Sequence, residues 1–178
     1  MESVNDVPGT LLRTRLALKP DGLLLGAAVG DGSFPALRIA IREGTTVTGR
    51  PPAARMMPQL TLQAIGDLLQ RVGFALPVVD VEQFSLRYRH IDGLIRDLRG
   101  AALTSILAGP VPVLSRAEWT AIASSFAAQT TDDATIETVR IVHFSAWVPD
   151  PSQPKPARRG SATASLAAAL QKGRQSGS

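Results

Sequence analysis

Two rhythms of hydrophobic and polar positions run along this 178-residue chain. Leu11, Leu12, Leu16 and Leu18 recur at helical spacing behind Asp6, a residue suited to cap a helix, with Pro8 tolerated in the first turn. Pro20-Asp21-Gly22 ends that predicted helix as a turn. "LLLGAAV" (23–29) is apolar at every position, as in an interior strand of a sheet covered on both faces. "GDGS" follows, then a short helix from about Pro35 to Arg42 with Leu37 and Ile41 at i, i+4. Residues 43–58 form a long Gly/Pro-rich loop, a candidate lid. Leu62, Ile65, Leu68, Leu69 and Val72 share one face of a strongly amphipathic helix that stops at Gly73.

The second half repeats the mixture. "FALPVVDV" and "FSLRY" read as one strand or two short ones, with Pro77 confined to a start or an edge. Ile91, Leu94, Ile95 and Leu98 mark a helix, and Ser115-Arg116-Ala117-Glu118 is a capping box before Trp119, Ile122 and Phe126, which face inward. "TIETVRIVHFSAWV" (135–148) is the longest strand candidate. The order is helix, strand, helix, helix, strand, two helices, strand. That is α/β, with few strands for its helices. Past Pro149 a Pro-rich stretch leads into small and basic residues, expected to be extended apart from a short helix at 165–170.

Composition removes several function classes. The chain has no cysteine, so neither a disulfide framework nor a thiolate metal site is available, and His90 and His143 lie far apart. No metal site is expected. No apolar run approaches the roughly 20 residues of a membrane span, and "MESVNDVPGT" has no leader pattern. A bacterial cytoplasm is the expected compartment. The net charge of +4 belongs to the tail, because Lys155, Arg158, Arg159, Lys172 and Arg174 lie beyond residue 154 while every acid lies before it, leaving −1 on residues 1–154. A solvated tail is the plainer reading, a phosphate-binding arm the sharper one, and nucleic acid is not the expected partner.

The candidate chemistry is thin. "VGDGSFP" has Gly30-x-Gly32 between a strand and a helix, but Pro35 stands where a third glycine of a dinucleotide turn would fall, and no ribose-binding acid follows at the usual distance. Asn5 and Asp6 lie before the first helix, Arg38 overlooks the end of the first strand, Tyr88 sits between Arg87 and Arg89, and His143 reads as a sheet residue.

Longer segments carry a resemblance. "VNDVPGTLLRTRLALKPDGLLLGA" is similar to the passage from the fourth to the fifth strand of class I S-adenosylmethionine-dependent methyltransferases. "LTLQAIGDLLQRVGF" (60–74), "YRHIDGLIRDLRGAA" (88–102) and "QPKPARRGSA" (153–162) resemble one branch of them. That branch holds the methyltransferase-like complex I assembly factors and the biotin-pathway malonyl carrier-protein methyltransferases. The likeness runs from about Val4 to Leu170.

The resemblance implies the C-terminal portion of a Rossmann-like sheet, strands five to seven, with the N-terminal strands absent. The last strand would lie antiparallel between the other two. Residues 1–152 would be a partial methyltransferase domain with insertion helices at about 90–130, and 153–178 a tail. The cofactor implied is S-adenosylmethionine, although neither its Gly-rich loop nor its ribose-binding acid has a counterpart here. Asn5 and Asp6 match cofactor-side positions. Gly30, Asp31, Gly32 and Ser33 match the substrate-facing loop, and Arg38, Tyr88 and Asp97 match positions typical of the branch. The expected partner is a small-molecule or protein methyl acceptor, and a sheet edge left open at 23–29 is expected to recruit another chain. A non-catalytic interaction or complex I assembly protein is the alternative, and some assembly-factor relatives imply hydroxylation of a partner.

Overall fold

The computed structural model describes residues 4–49, 55–104 and 112–153. Helix α1 (Val7–Ala17) is capped by Asp6, whose carboxylate accepts the Gly9 amide at 2.8 Å. It leads through a tight turn at 19–22 into β1 (Leu23–Val29). α2 (Pro35–Thr45) continues as a 3-10 turn at Thr46–Thr48, and α3 (Leu62–Val72) is capped by Thr61. β2 (Ala75–Tyr88), α4 (Ile91–Gly100), α5 (Arg116–Ala128) and β3 (Thr135–Trp147) complete the order. The capping box forms as read: Ser115 Oγ accepts the Glu118 amide and the Glu118 carboxylate accepts the Ser115 amide. α4 ends at Gly100, short of the 91–108 that the family's insertion implies, and residues 101–104 form a turn; residues 105–111, the centre of the 43–58 loop and the tail with its 165–170 helix lie outside the described residues.

The sheet has the order β1-β3-β2, antiparallel throughout, so the last strand of the chain is central. Alternate side chains of β3 serve two cores. Val142, Phe144 and Ala146 pack with Leu11 of α1 and with Ile65 and Leu69 of α3. Gly26 lies under the Phe144 ring, where a Cβ would collide with it. On the opposite face, at the other end of β3, Tyr88, Phe34, Leu37, Leu94, Leu98, Ile122 and Phe126 form a second core between the sheet and α2, α4 and α5. Gly44 allows α2 and α5 to approach, since a Cβ there would strike Ile122.

Three sequence expectations need correction. Residues 43–48, expected to open a long loop, are helical, as the end of α2 and the 3-10 turn after it. Leu12 and Leu16 of α1 do not face inward: they are 42% and 70% exposed, and Leu11 alone in that helix is fully buried. β1 is an edge strand with one face partly open, not an interior strand of a doubly covered sheet. Leu25 is 70% exposed, and Leu25, Ala27, Val78, Asp80, His143 and Ser145 line a shallow depression on that open face. His143 is a solvent-facing residue there, with Nε2 3.6 Å from Glu82. Uniform apolarity was read as two-sided burial, yet among the described residues no helix covers this half of the face.

The two edges differ. β2 carries a register shift between Ala75 and Val78, with Leu76 at φ +50° and Pro77 in the irregularity, and it bears Asp80, Glu82 and Arg87. These features discourage pairing by another chain. β1 carries no charge, proline or bulge. Gly22 and Gly30 exchange hydrogen bonds with β3 at either end of β1, through Val148 N–H to Gly22 O and Gly30 N–H to Arg140 O. By alternation the backbone groups of Leu23, Leu25 and Ala27 point to the outer edge.

The start of α2 depends on a distant residue. Phe34, its N-cap, is left-handed at φ +57° and offers no side-chain oxygen. Glu137 of β3 takes that role: its carboxylate, fully buried, accepts the amides of Leu37 at 2.6 Å and Ala36 at 3.2 Å. Burial pushes the Glu137 carboxyl above its ordinary range, against the opposing pull of the two amides. The native state therefore holds this proton more tightly than the unfolded chain does. The group's contribution to stability is greatest on the acid side and declines as pH rises from the unfolded value through the raised native one. Glu137→Gln should remove that decline, so urea midpoints of the two proteins between about pH 4 and 7 should change least for the variant. Glu137→Ala, which strands two buried amides, should cost about 1–3 kcal/mol in the same urea experiment.

Candidate functional site

The turn after β1 is held from several directions. Ser33, fully buried, donates its hydroxyl to Gly30 O at 2.8 Å and accepts the Arg140 amide at 2.9 Å. The Phe34 amide reaches Thr138 O at 2.8 Å, and Asp31 N–H reaches Leu60 O at 3.0 Å. Arg140 Nη1 donates to Asp31 O at 3.3 Å. Arg38 Nη2 donates to Gln59 Oε1 at 2.9 Å, and Gln59 Nε2 donates to Ser33 O at 3.3 Å. The structure thus brings Gly30, Asp31, Gly32, Ser33 and Arg38 together at the carboxyl end of β1, the end where ligands gather in open α/β sheets. Ser33 fixes the turn from inside, while Asp31 and Arg38 are exposed on it.

Tyr88 and Asp97 also meet. The phenol of Tyr88 donates to Asp97 Oδ2 at 2.9 Å and joins the end of β2 to α4, with Gly93 under the ring. Burial first, and then the bond to Asp97, push the Tyr88 hydroxyl up to about 12. It is therefore a protonated donor at neutral pH, unsuited to act as a base. Its ring belongs to the core that includes Phe34 and Leu37, so it supports the wall on which the turn rests.

Asn5 and Asp6 sit at the start of α1. Chain reversal at 19–22 places that start at the sheet end where β1 finishes. Asp6 is committed to the Gly9 amide, and Arg13 lies 3.9 Å from it. These residues do not make a holder for S-adenosylmethionine. The amides of Gly30, Asp31 and Ser33 are all used by carbonyls of the protein, and the Asp6 carboxylate is a helix cap. No step of methyl transfer is assigned to residues of this chain. Among the described residues no group of three or more His, Asp or Glu side chains is arranged to hold a metal. No described helix is long and apolar enough to cross a membrane.

Several residues that organise the site carried no readable signal. Gln59 lies in an irregular stretch, and Arg140 looked like one more polar position in a strand. Glu137 had the best signal, as the one acid within the strand candidate. Glu118 does more than close its capping box, since it also accepts the Thr48 hydroxyl at 2.9 Å and so ties α5 to the turn after α2. Beside the Gly30–Ser33 turn, between α2, α4 and residues 55–59, lies a cavity of about 160 Å3.

No family model matches the chain. Among curated proteins it is similar to the mitochondrial arginine-hydroxylase NDUFAF5 of Danio rerio, 30% identical over 169 residues, which is 94% of this chain and 53% of that protein. NDUFAF5 of Homo sapiens is 29% identical over 165 residues, covering 92% of this chain and 48% of that one. The malonyl-acyl-carrier-protein O-methyltransferase of Gallionella capsiferriformans is 28% identical over 148 residues, covering 83% of this chain and 49% of that enzyme. The chain spans about half the length of the curated relatives it matches. It is a homologue of both groups, and its likeness to each fits the methyltransferase-like branch that joins the complex I assembly factors to the malonyl carrier-protein methyltransferases.

Proposed function

We propose that this chain is the acceptor-side portion of an S-adenosylmethionine-dependent methyltransferase-family protein, lacking on its own the elements that hold the cofactor. The observation that carries this reading is the β1-β3-β2 order with an antiparallel central last strand, together with the similarity to two groups of proteins about twice as long. In this reading Gly30 to Ser33 and Arg38 shape the wall facing the methyl acceptor, and Tyr88 and Asp97 hold that wall in place. Asn5 and Asp6 lie on the side nearest the cofactor. Methyl transfer depends on holding two reactants in line, and half of that arrangement supplies little of it. Titration calorimetry of residues 1–178 with S-adenosylmethionine should therefore show binding no tighter than about millimolar, on the order of −4 kcal/mol. Micromolar binding by a monomer would overturn the reading.

A second reading, a non-catalytic interaction or assembly protein, is favoured by the open β1 edge. An uncharged edge next to the exposed Leu23 and Leu25 is suited to pairing with another chain or a second copy. Sedimentation equilibrium should find species heavier than the 18.8 kDa monomer. Leu25→Lys, a charge placed on that strand, should shift the population toward monomer. A wild-type protein that stays monomeric at about 100 μM, well above a micromolar dissociation constant, would remove this second reading.

A further inference from the structure

We propose that the cavity between α2, α4 and residues 55–59 binds a small carboxylic acid whose apolar body is about the size of a benzene ring. Its volume is about 160 Å3. An apolar cavity of roughly 150 Å3 stays dry and accepts benzene, so size and lining together define the guest. Phe34, Leu37 and Leu98, all buried, come from the helical core, and Met56 and Met57 close the other side with side chains that adapt to an irregular guest.

Arg55 supplies the polar end. Its Nη2 donates to Pro112 O at 2.8 Å, which fixes the guanidinium at the cavity wall. A guanidinium is suited to a carboxylate, which its remaining N–H groups can bind. Among the described residues of the lining Arg55 is the one charged side chain, and none is an acid. The other polar side chain that could turn inward, the Gln59 amide, is already engaged at both ends by Arg38 and Ser33 O. Val29 and Phe34, which flank the Gly30–Ser33 turn, both line the cavity, so the guest would lie at the carboxyl end of β1. This inference stands on the cavity alone and is independent of whether the chain takes part in methyl transfer.

The sequence offers a clean probe, because the chain has three methionines and two of them line the cavity. With methionine methyl groups labelled by carbon-13, sodium benzoate should shift the Met56 and Met57 signals saturably, with a dissociation constant of about 1 mM, and leave Met1 unmoved. Benzyl alcohol, equal in size and uncharged, should bind the wild-type protein at least tenfold more weakly. Arg55→Gln should weaken benzoate by a similar factor and leave benzyl alcohol unchanged. Shifts that fail to saturate, or that move Met1 equally, would overturn the site. Equal affinity of the wild-type protein for benzoate and benzyl alcohol would overturn the role of Arg55 even if the variant proved too unstable to measure.

Discussion

The double pairing of β3 is the constraint on which the remaining elements lean. β1 and β2 do not pair with each other, and each acquires its ladder from Thr135–Trp147, which lies between them. The strand also carries polar groups into the interior. Thr135 donates to Phe126 O at 2.9 Å and so fixes the end of α5, and Glu137 receives the first amides of α2. A charge or hydroxyl buried in a strand is costly unless its partners are already in place. Here those partners are helix ends, which would otherwise be short of partners themselves. The arrangement fixes how α2 and α5 sit on the sheet, and hence the shape of the wall they build.

That wall has a stiff part and a yielding part. The Gly30–Ser33 turn is cross-linked to β3 and to Leu60 by backbone and hydroxyl bonds, so it is a preformed surface. Among the described residues, 55–59 are held by Arg55 to Pro112 O and by Gln59 to Ser33 O and Arg38, with two methionines between them. Rigid backbone on one side and adaptable side chains on the other suit recognition of guests that vary in shape but share a charge.

Local rules were legible in the sequence, and distant ones were not. The Ser115–Glu118 box and the Asp6 and Thr61 caps act within four residues, so their chemistry is written in adjacent letters. The amphipathic α3 and the three strands followed from spacing, and Pro77 marked the edge strand. Strand order came from resemblance, because periodicity contains no information about neighbours. The cap of α2 was invisible, since Glu137 acts across about a hundred residues and the local candidate, Phe34, offers no acceptor. α1 misled for a related reason: four leucines at helical spacing state which residues are apolar but not which side the sheet will take. At the site, the turn and Arg38 could be grouped by proximity in sequence. Their link to Gln59, and the cavity beside them, required the fold.

The place of β3 in the chain has a consequence for how the protein is made. Ser33 and Arg140, which close the seam between the first strand and the central one, are 107 residues apart. Topologies dominated by such long-range pairing fold slowly, because loop closure must precede the contacts that reward it. At translation rates of about 5–20 residues per second, the ribosome needs roughly 5–20 s to deliver the partner strand after β1 emerges. Throughout that interval the side of "LLLGAAV" that pairs with β3 has no ladder, and α2 has no carboxylate over its first turn. The seam between β1 and β3 can close only after the chain has been made through Thr135–Trp147.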